Sequence, residues 1–322
     1  MTPEAGVRTL LRDGSLEVAD LGTGDTAGRL EVLSRIGRSD LSVGRLAEAH
    51  VDATAILAEA GRLSAPDRLH GVWAADRPRR GLVIDGWPGS PVLHGSKDFC
   101  TGVGICDVAL VTAHASGEDR PLLVQLDLAA LRRDGQLTVD DSGWSTTAFA
   151  GTSTGSISLQ HHAVDPACVI GPPGWYLDRP GFWHGALGPA AVWAGGALGV
   201  IDDALSHSSG DDPHEAAHRG ALRAVGWGLA AMMECAGGGV DADPSDATGG
   251  ARSMALAFRY QVERGCREAL ERSARVLGPG PMAFDATIAR RHAELALYLG
   301  QSHGDRDLAD LDRSWPRDGR LR

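Results

Sequence analysis

The sequence predicts an α+β protein in which a helical N-terminal segment precedes a central antiparallel β-sheet or barrel and a C-terminal four-helix bundle. Three observations support this prediction. Apolar residues recur at helical spacing near the N-terminus, alternate with a period of two through the middle of the chain, and return to helical spacing in the last part. Because strands and helices occupy separate stretches, the order differs from that of a doubly wound α/β protein.

The N-terminal segment, residues 1–66, is predicted to be helical. Its clearest helix covers residues 40–60, where small and apolar side chains recur with the period of a helix. Asp40 is expected to cap the start of this helix and Gly61 to end it. His50 lies on the apolar stripe, so we expect it to be packed and hydrogen-bonded.

The middle segment, residues 67–180, is predicted to form an antiparallel sheet of about six strands. Short β-type runs are separated here by Gly, Pro and Asp clusters. The runs are GLVID (81–85), PVLHG (91–95), DVALVTA (107–113), PLLVQLD (121–127) and SISLQHHAV (156–164). His161 and His162 in the last run should point to opposite faces, so they are not expected to bind one metal ion together. GTSTG at 151–155 is interpreted as a turn.

The C-terminal segment, residues 181–314, is predicted to form the bundle and to be followed by a tail, residues 315–322. Helical periodicity covers residues 182–207, 213–236, 248–277 and 285–312. The stretch between 236 and 250 has the composition of a loop. Apolar residues lie on more than one face of these helices, which predicts a homodimer or homotetramer.

Composition excludes several classes of protein. The net charge of −11 and the lack of a basic stripe argue against nucleic-acid binding. The longest apolar stretch, residues 190–201, is too short to span a membrane, and the N-terminal residues lack the features of a signal peptide. Five cysteines without a CxxC pair indicate neither a disulfide framework nor a metal module. We therefore expect a cytoplasmic protein with no metal site.

Several motifs resemble, in order along most of the chain, those of the acyl-CoA dehydrogenase superfamily. The segment 95–102, GSKDFCTG, is similar to the strand of that family usually written GxKxWIT. The other similar segments are LSVGRLAEAHVDATAILAEAG (41–61), GTSTGSISLQHHAVDPACVIG (151–171), FWHGALGPAAVWAGGALGVIDDAL (182–205) and LERSARVLGPGPMAFDATIARRHAEL (270–295). The chain resembles a shortened member of the family, and the resemblance implies the family's fold and an FAD cofactor.

The resemblance also implies which residues bind the flavin. In the family's strand an aromatic residue covers the flavin and a threonine hydroxyl reaches its ring, and these positions match Phe99, Cys100 and Thr101. The family's acidic TEPxxGSD loop is replaced by GVWAADRPRRG (71–81), which leaves Trp73 as the evident flavin contact in that loop.

For the nucleotide part of FAD, the resemblance implies a second group of residues. Gly278 and Gly280 are what persists of the family's QxxGGxG element. Arg275 is the nearest side chain able to pair with a pyrophosphate.

The residues implied for catalysis depart from the family's pattern. Counting from Gly278, the family's catalytic glutamate falls on Gln301, and an amide cannot remove a proton. His303 lies in the same turn, and histidine is the usual acid–base residue near neutral pH. Glu234 lies on the helix where some family members place a displaced carboxylate. His303 and Glu234 are therefore both candidate bases.

Three functions follow from these observations. The first is a flavoprotein oxidoreductase that desaturates a small acyl-type or natural-product substrate and works with an electron-transfer partner. The second is a flavin-dependent monooxygenase on the same fold, because hydroxylating relatives also lack the glutamate and place a histidine near the ring. The third is a flavin-free member that serves in binding or assembly, because the N-terminal segment is short and the dinucleotide elements are incomplete.

Overall fold

A computed structural model describes most of the chain. The described residues are 1–77, 80–208, 210 and 212–315. The predicted tail, 315–322, lies outside the described residues apart from Trp315. The chain divides into two compact units. The β unit consists of Met1–Glu17 and Ala49–Phe182, and the helical unit consists of Val18–Glu48 and Trp183–Arg322.

The order of elements is helices, then mainly strands, then helices, as the sequence predicts. The helices are α1 (Pro3–Arg12), α2 (Thr26–Ser39), α3 (Leu41–Glu59), α4 (Leu128–Arg133), α5 (Trp175–Asp178), α6 (Pro180–Gly185), α7 (Leu187–His207), α8 (Pro213–Ala242), α9 (Ala251–Leu277), α10 (Pro279–Phe284), α11 (Ala286–Tyr298) and α12 (Asp305–Ser314). The strands are β1 (His70–Trp73), β2 (Leu82–Asp85), β3 (Val92–Cys100), β4 (Val108–Ala115), β5 (Leu122–Asp127), β6 (Leu137–Asp140), β7 (Gly155–Ala163) and β8 (Val169–Ile170).

Among the described residues the sheet of the β unit has eight strands, more than the six predicted, and it is mixed: most strand pairs are antiparallel, as predicted, and two are parallel. Seven strands follow the order β6-β7-β3-β2-β4-β5-β8, and β1 pairs with β4. Both β1 and β2 run parallel to β4. β1 pairs with the first part of β4 and β2 with its last part, so β1 and β2 run in the same direction. The other strand pairs are antiparallel.

The strand β7 departs from simple alternation at its end. His161 has a left-handed φ of 53° and is exposed, whereas Ile157 and Leu159 before it are buried. The His161 ring stacks on His94 with 5.7 Å between centroids. His162 bonds through Nδ1 to Gln136 at 2.8 Å. Within the described part of the chain no group of three or more His, Cys, Asp or Glu side chains that could hold a metal ion occurs.

The core of the β unit lies where α3 packs on the sheet. Ala53, Ile56 and Leu57 of α3 are buried together with side chains from β4, β5, β8 and α5. Burial of such side chains contributes roughly 1.5 to 3 kcal/mol each. Gly61 follows α3 with a φ of 69°, as expected for a residue that ends a helix.

The helical unit is packed through close contacts between backbones. A Cβ on Gly195 of α7 would lie 1.9 Å from the carbonyl oxygen of Ser34 on α2, so only glycine allows this approach. Asp40 caps α3 as predicted, since its Oδ1 accepts a hydrogen bond of 3.0 Å from the Val43 N–H. Asp241 near the end of α8 accepts hydrogen bonds from the backbone and hydroxyl of Thr26 at 3.0 and 2.6 Å.

The predicted bundle helices need three corrections. The first segment is divided into α6 and α7, and α8 continues to Ala242 through a run predicted as loop. The last segment is divided into α11 and α12 by a 3-10 turn, Leu299–Gln301, and by Gly304, whose φ is 54°. In α8 the glycines remain helical because tertiary packing outweighs their weak propensity.

One stretch, Pro180–His207, is long and apolar enough to cross a membrane by length and composition alone. However, 78% of its most apolar window is buried inside the structure, as is usual for the core helix of a globular protein. This stretch is therefore only weak evidence for a membrane span.

A buried pair of histidines should make the stability of the β unit depend on pH. His50 is 5% exposed and accepts a hydrogen bond of 3.2 Å from the His70 N–H, as the prediction of a packed histidine requires. Burial, together with the charge of His70, lowers the pKa of His50 to about 4. The unfolded chain therefore binds this proton more readily than the folded protein does. Above pH 6.5 the difference has no effect, and as the pH falls from 6.5 to 4 it should lower the free energy of unfolding by up to about 3 kcal/mol.

Urea unfolding of the wild type and of His50→Gln at several pH values measures this effect. The substitution should make the free energy of unfolding fall less between pH 6.5 and pH 4 than it does in the wild type. His214→Gln, at an exposed histidine of α8, serves as the control and should keep the wild-type slope. Equal slopes for all three proteins would contradict the prediction.

Candidate functional site

The end of β3 and the loop before β7 form a strained corner within the β unit. We call residues 99–104 and 149–154 the Thr101 corner. The Gly102 and Val103 N–H groups donate to the carbonyl oxygens of Thr152 and Ser153 at 3.0 and 2.9 Å. Backbone hydrogen bonds therefore fix the two segments against each other.

Three residues of the Thr101 corner other than glycine have left-handed backbones. The φ angles are 60° at Phe99, 57° at Phe149 and 45° at Ser153. Such a conformation costs roughly 1 to 3 kcal/mol per residue and persists only where the surroundings enforce it. A concentration of these residues is typical of binding sites and active sites.

Phe99 shows why the strain matters. Its ring is 51% exposed and the Arg77 guanidinium lies 4.6 Å from the ring centroid. Arg77 also pairs with Asp98 at 3.4 Å. An apolar ring held out of the core by an unfavourable backbone presents a flat aromatic face that a planar ligand could cover.

The hydroxyl of Thr101 is held by a short series of threonines. Thr154 donates to the Thr101 Oγ1 at 3.3 Å, and the Thr152 and Thr154 hydroxyls are 2.9 Å apart. Thr152 donates to the Phe149 carbonyl oxygen at 2.8 Å. Each threonine hydroxyl has one proton, so Thr152 donates either to the Phe149 carbonyl oxygen or to Thr154 while Thr154 donates to Thr101. In that arrangement the Thr101 proton is available for a ligand.

Trp73 and Cys100 support the corner from inside. The indole N–H of Trp73 donates to the Thr101 carbonyl oxygen at 2.9 Å, and the Trp73 ring is buried. Cys100 is buried as well, and its Sγ donates to the Lys97 carbonyl oxygen at 3.4 Å. Burial raises the pKa of the Cys100 thiol to about 12, so it stays protonated. Both side chains position the Phe99–Thr101 segment from the interior.

Lys97 anchors the same strand. It is the only lysine in the chain, and its side chain is fully buried. Nζ donates to Asp76 Oδ1 at 2.6 Å, to Thr112 Oγ1 at 2.8 Å and to the Thr112 carbonyl oxygen at 3.3 Å. All three ammonium protons thus have acceptors. Asp76 Oδ2 also lies 3.3 Å from His114 Nε2.

In the helical unit, Gln301 and His303 lie in the same turn. Gln301 ends the 3-10 turn and is exposed. The His303 side chain is 64% exposed, and its Nδ1 lies 3.2 Å from Asp307 Oδ1. The His303 backbone N–H donates to the other Asp307 oxygen at 3.2 Å. Glu234 is exposed on α8, away from this turn in the sequence.

The residues expected near a pyrophosphate lie at the end of α9. Arg275 pairs with Glu271 one helical turn earlier at 2.6 Å, and both side chains are largely exposed. Gly278 ends α9 with a φ of 66°. A Cβ on Gly278 or on Gly280 would meet nothing within 4 Å, so the backbone is open there.

The structure thus assembles the sequence-predicted residues within each unit separately. In the β unit it brings Trp73, Phe99, Cys100 and Thr101 to one corner, and in the helical unit it joins Gln301 and His303 in one turn. Thr152 and Thr154 were not predicted as site residues, because small polar residues between strands usually form turns. The sequence did hold one signal, since both threonines lie in GTSTG (151–155), at the start of a segment that resembles the same family as GSKDFCTG.

No protein-family model matches the sequence, and no curated protein matches it. Solved structures, in contrast, superpose on it. Dibenzothiophene monooxygenase TdsC from Paenibacillus sp. A11-2 is 18% identical, with a TM-score of 0.80 over 100% of this chain and 92% of that one. Methanesulfinate monooxygenase MsuC from Pseudomonas fluorescens is 16% identical, with a TM-score of 0.78 over 100% and 98%. KijD3, solved with FMN and an amino-sugar nucleotide, is 14% identical, with a TM-score of 0.81 over 98% and 86%.

These similarities confirm the predicted fold class. The chain has the acyl-CoA dehydrogenase-like fold, with helices at both ends and a central mixed sheet. Several of the similar structures contain a flavin: TdsC and KijD3 have been solved with FMN, and PigA, 12% identical with a TM-score of 0.75, with FAD. At these sequence identities the similarity establishes the fold and not the activity.

The exposed Phe99 ring should add little to stability. Phe99→Gly removes the strain of the left-handed backbone, which stabilises the fold. It also removes the contact with Arg77 and increases the conformational entropy of the unfolded chain, which both destabilise the fold. These effects nearly cancel, so the free energy of unfolding should change by less than about 1 kcal/mol. Phe149→Gly is the matched control, because Phe149 has a similar φ but is fully buried. That variant should lose at least about 3 kcal/mol. Urea denaturation compares the two, and a large loss for Phe99→Gly would show that its ring has a packing role.

Proposed function

We propose that the protein is a flavin-dependent monooxygenase that acts on a small organic substrate in the cytoplasm. The observation that carries this proposal is the superposition of nearly the whole chain on TdsC and MsuC, two monooxygenases. TdsC has also been solved with FMN and indole together. The position expected for the base of a dehydrogenase holds Gln301, whose amide is not basic, and this favours oxygenation over desaturation.

The Thr101 corner fits the ring system of a flavin. Phe99 offers an exposed aromatic face, and Thr101 offers a hydroxyl proton that the threonine series leaves unused. The buried side chains of Trp73 and Cys100 hold the Phe99–Thr101 segment in place through hydrogen bonds to its backbone and to the Lys97 carbonyl oxygen. A planar heterocycle with acceptor atoms on its edge matches this combination of an aromatic face and a donor.

The ring system is the same in FMN, which TdsC and KijD3 bind, and in FAD, which PigA binds. For this chain we retain the FAD that its motifs imply. Arg275 would hold the pyrophosphate beside the open backbone of Gly278 and Gly280. Its exposed pair with Glu271 contributes at most about 1 kcal/mol, so the guanidinium can exchange one anion for another.

A bound flavin supplies the electron transfer to O₂ that the side chains cannot. The chain contributes proton transfer and orientation. When His303 Nδ1 donates to Asp307, Nε2 keeps its lone pair and can take or return a proton. The amide of Gln301 can orient a substrate by hydrogen bonds.

We also propose that the protein forms a homodimer or homotetramer, and that an external electron-transfer partner reduces the flavin. Trp227 on α8 is 77% exposed and Phe284 on α10 is 93% exposed, which is unusual for isolated surfaces. A groove of about 630 Å³ lies between α8 and α9. Light scattering that shows only monomers at micromolar concentration would contradict the assembly.

Flavin binding and oxygen transfer test the proposal directly. The protein should take up FAD or FMN and, with reduced flavin, place an atom from ¹⁸O₂ in a small probe such as indole. Thr101→Val should weaken flavin binding about tenfold or change the visible spectrum, because one hydrogen bond to the ring is lost. Thr138→Val, at an exposed threonine of β6, is the control. Reduction of bound flavin by an acyl-CoA without O₂ would support a dehydrogenase, and a protein that takes up no flavin would support a binding role.

The histidine turn gives a separate test. His303→Ala should lower turnover roughly 10² to 10⁴-fold, the usual effect of losing a positioned acid or base, with flavin content unchanged. Gln301→Ala should have a smaller effect, because an amide can only orient. Stopped-flow measurement of product formation compares the two variants. If His303→Ala keeps full activity, Glu234 becomes the proposed base.

A further inference from the structure

The helix α8 packs on the helical unit with one side and leaves the other side exposed. On the packed side, Leu229 is buried, and a Cβ on Gly237 would lie 2.4 Å from the backbone nitrogen of Ala27 on α2. We call the exposed side, between residues 216 and 238, the α8 face. Its exposed positions hold alanine or glycine, apart from Arg223, Trp227, Glu234 and Cys235. The α8 face is therefore a strip of small residues with one positive and one negative charge.

The neighbouring helix α9 has the composition expected of a helix side that faces water. Glutamates and arginines pair one turn apart along it, at distances of 2.6 to 3.2 Å. Arg223 and Glu234 of the α8 face, in contrast, form no salt bridge with any residue that the structure describes. Depletion of charge marks the core of protein interfaces, and small residues let two helix backbones approach closely. The α8 face thus has the composition of a surface that another helix covers.

Trp227 lies near the middle of the α8 face and is 77% exposed. A Cβ on Gly220 or on Gly238 would meet nothing within 4 Å, so the surface is open toward both ends of the helix. Tryptophan is one of the residues that most often anchor the centre of a protein interface, because its burial removes a large apolar area from water. A large ring with low surface on either side of it is a shape that an identical strip can fit.

The two charges of the α8 face define an alignment of two such strips. Glu234 follows Arg223 by about three helical turns, so both side chains lie on the same flank of the α8 face. The midpoint between them falls between residues 228 and 229, and the midpoint of α8 falls between residues 227 and 228. An antiparallel copy centred on this point would therefore place each Arg223 beside the partner's Glu234 and would overlap α8 along its whole length.

The remaining residues fit the same alignment. Trp227 would lie against the partner's Ala230 and the partner's Ala231, which are small enough to leave room for its ring. Gly220 would lie opposite the partner's Gly238, where both backbones are open. The large residue of each strip thus meets small residues of the other, as close packing requires.

From this complementarity we infer that the α8 face binds the α8 face of a second copy of this chain in an antiparallel, two-fold contact. Such a contact requires a surface that complements itself when reversed, and Arg223 and Glu234 provide this property. A parallel copy in register would instead place like charges side by side. Two copies of net charge −11 repel each other, so they approach most easily through a strip without net charge. The inference rests on the assembly proposed above, to which it assigns a surface, and not on the flavin.

Charge reversal tests the alignment, with the dissociation constant of the full chain measured by sedimentation equilibrium. Arg223→Glu should weaken self-association about tenfold, because a carboxylate then faces the partner's Glu234 at two symmetric places. Glu234→Arg should weaken it by a similar factor. The double variant with both changes should return to the wild-type constant, since each pair again has opposite charges. A double variant that associates no better than the single variants would overturn the alignment.

Truncation of the central ring tests the surface. Trp227→Ala should weaken self-association at least about thirtyfold, because one anchoring ring is lost from each copy. Phe284→Ala is the matched control, since it removes an aromatic ring that is 93% exposed on α10, and it should associate like the wild type. Both variants should keep the wild-type circular dichroism spectrum, because both residues are largely exposed in the single chain. Weaker association of Phe284→Ala with none for Trp227→Ala would overturn the inference.

Cross-linking with a short bismaleimide tests the direction of the two helices. In a Cys235→Ala background, Ala230→Cys places a thiol near the two-fold axis, so two copies should cross-link. Ala217→Cys is the control, because an antiparallel contact holds these two thiols roughly 35 Å apart, too far to cross-link. Cross-linking of both variants would indicate a parallel contact, and cross-linking of neither would indicate another surface or another partner. Either result would overturn the inference.

The same samples separate this inference from the proposed function. Flavin uptake by a protein whose association is unchanged by Arg223→Glu and Trp227→Ala would overturn the α8 contact and leave the flavoenzyme in place. Restored association of the double charge variant in a protein that takes up no flavin would support the α8 contact and contradict the flavoenzyme. A wild type that stays monomeric would overturn the α8 contact together with the proposed assembly.

Discussion

The buried ammonium of Lys97 holds together the part of the β unit from which the candidate flavin site is built. A charge in the interior is tolerated only if each of its protons finds an acceptor. Asp76 and Thr112 provide those acceptors, and they tie β3 to β4 and to the chain that follows β1. Removing one member of such a pair costs about 3 to 5 kcal/mol, so the register of β3 is strongly specified.

That register places the strained residues next to their supports. Phe99 follows Lys97 by two positions and has a left-handed backbone, while Thr101 is held by the Trp73 indole from one side and by Thr154 from another. The strain is therefore sustained by hydrogen bonds on both sides of it. A ligand that covers Phe99 would find the aromatic face and the hydroxyl already in position, with little ordering entropy to overcome.

Much of the fold could be predicted from the sequence, because periodicity reports local structure. The period-two runs became β2, β3, β4, β5 and β7, and the caps at Asp40 and Gly61 are where the residue types predict them. Short strands such as β1, β6 and β8 contain too few residues for a period to show. The parallel pairing of β1 and β2 with β4 depends on contacts between residues far apart in the sequence, and periodicity carries no information about such contacts.

The burial of Lys97 also makes the protein unusual as a target for covalent labelling. Reagents that acylate amines find no accessible lysine side chain, since the only one lies behind Asp76 and Thr112. Acylation at this position requires β3 to separate locally from β4, so its rate reports how often that part of the sheet opens. The rate at which the peptide that contains Lys97 is acylated, measured by mass spectrometry, therefore reports local opening of β3, the strand that carries Phe99 and leads to Thr101.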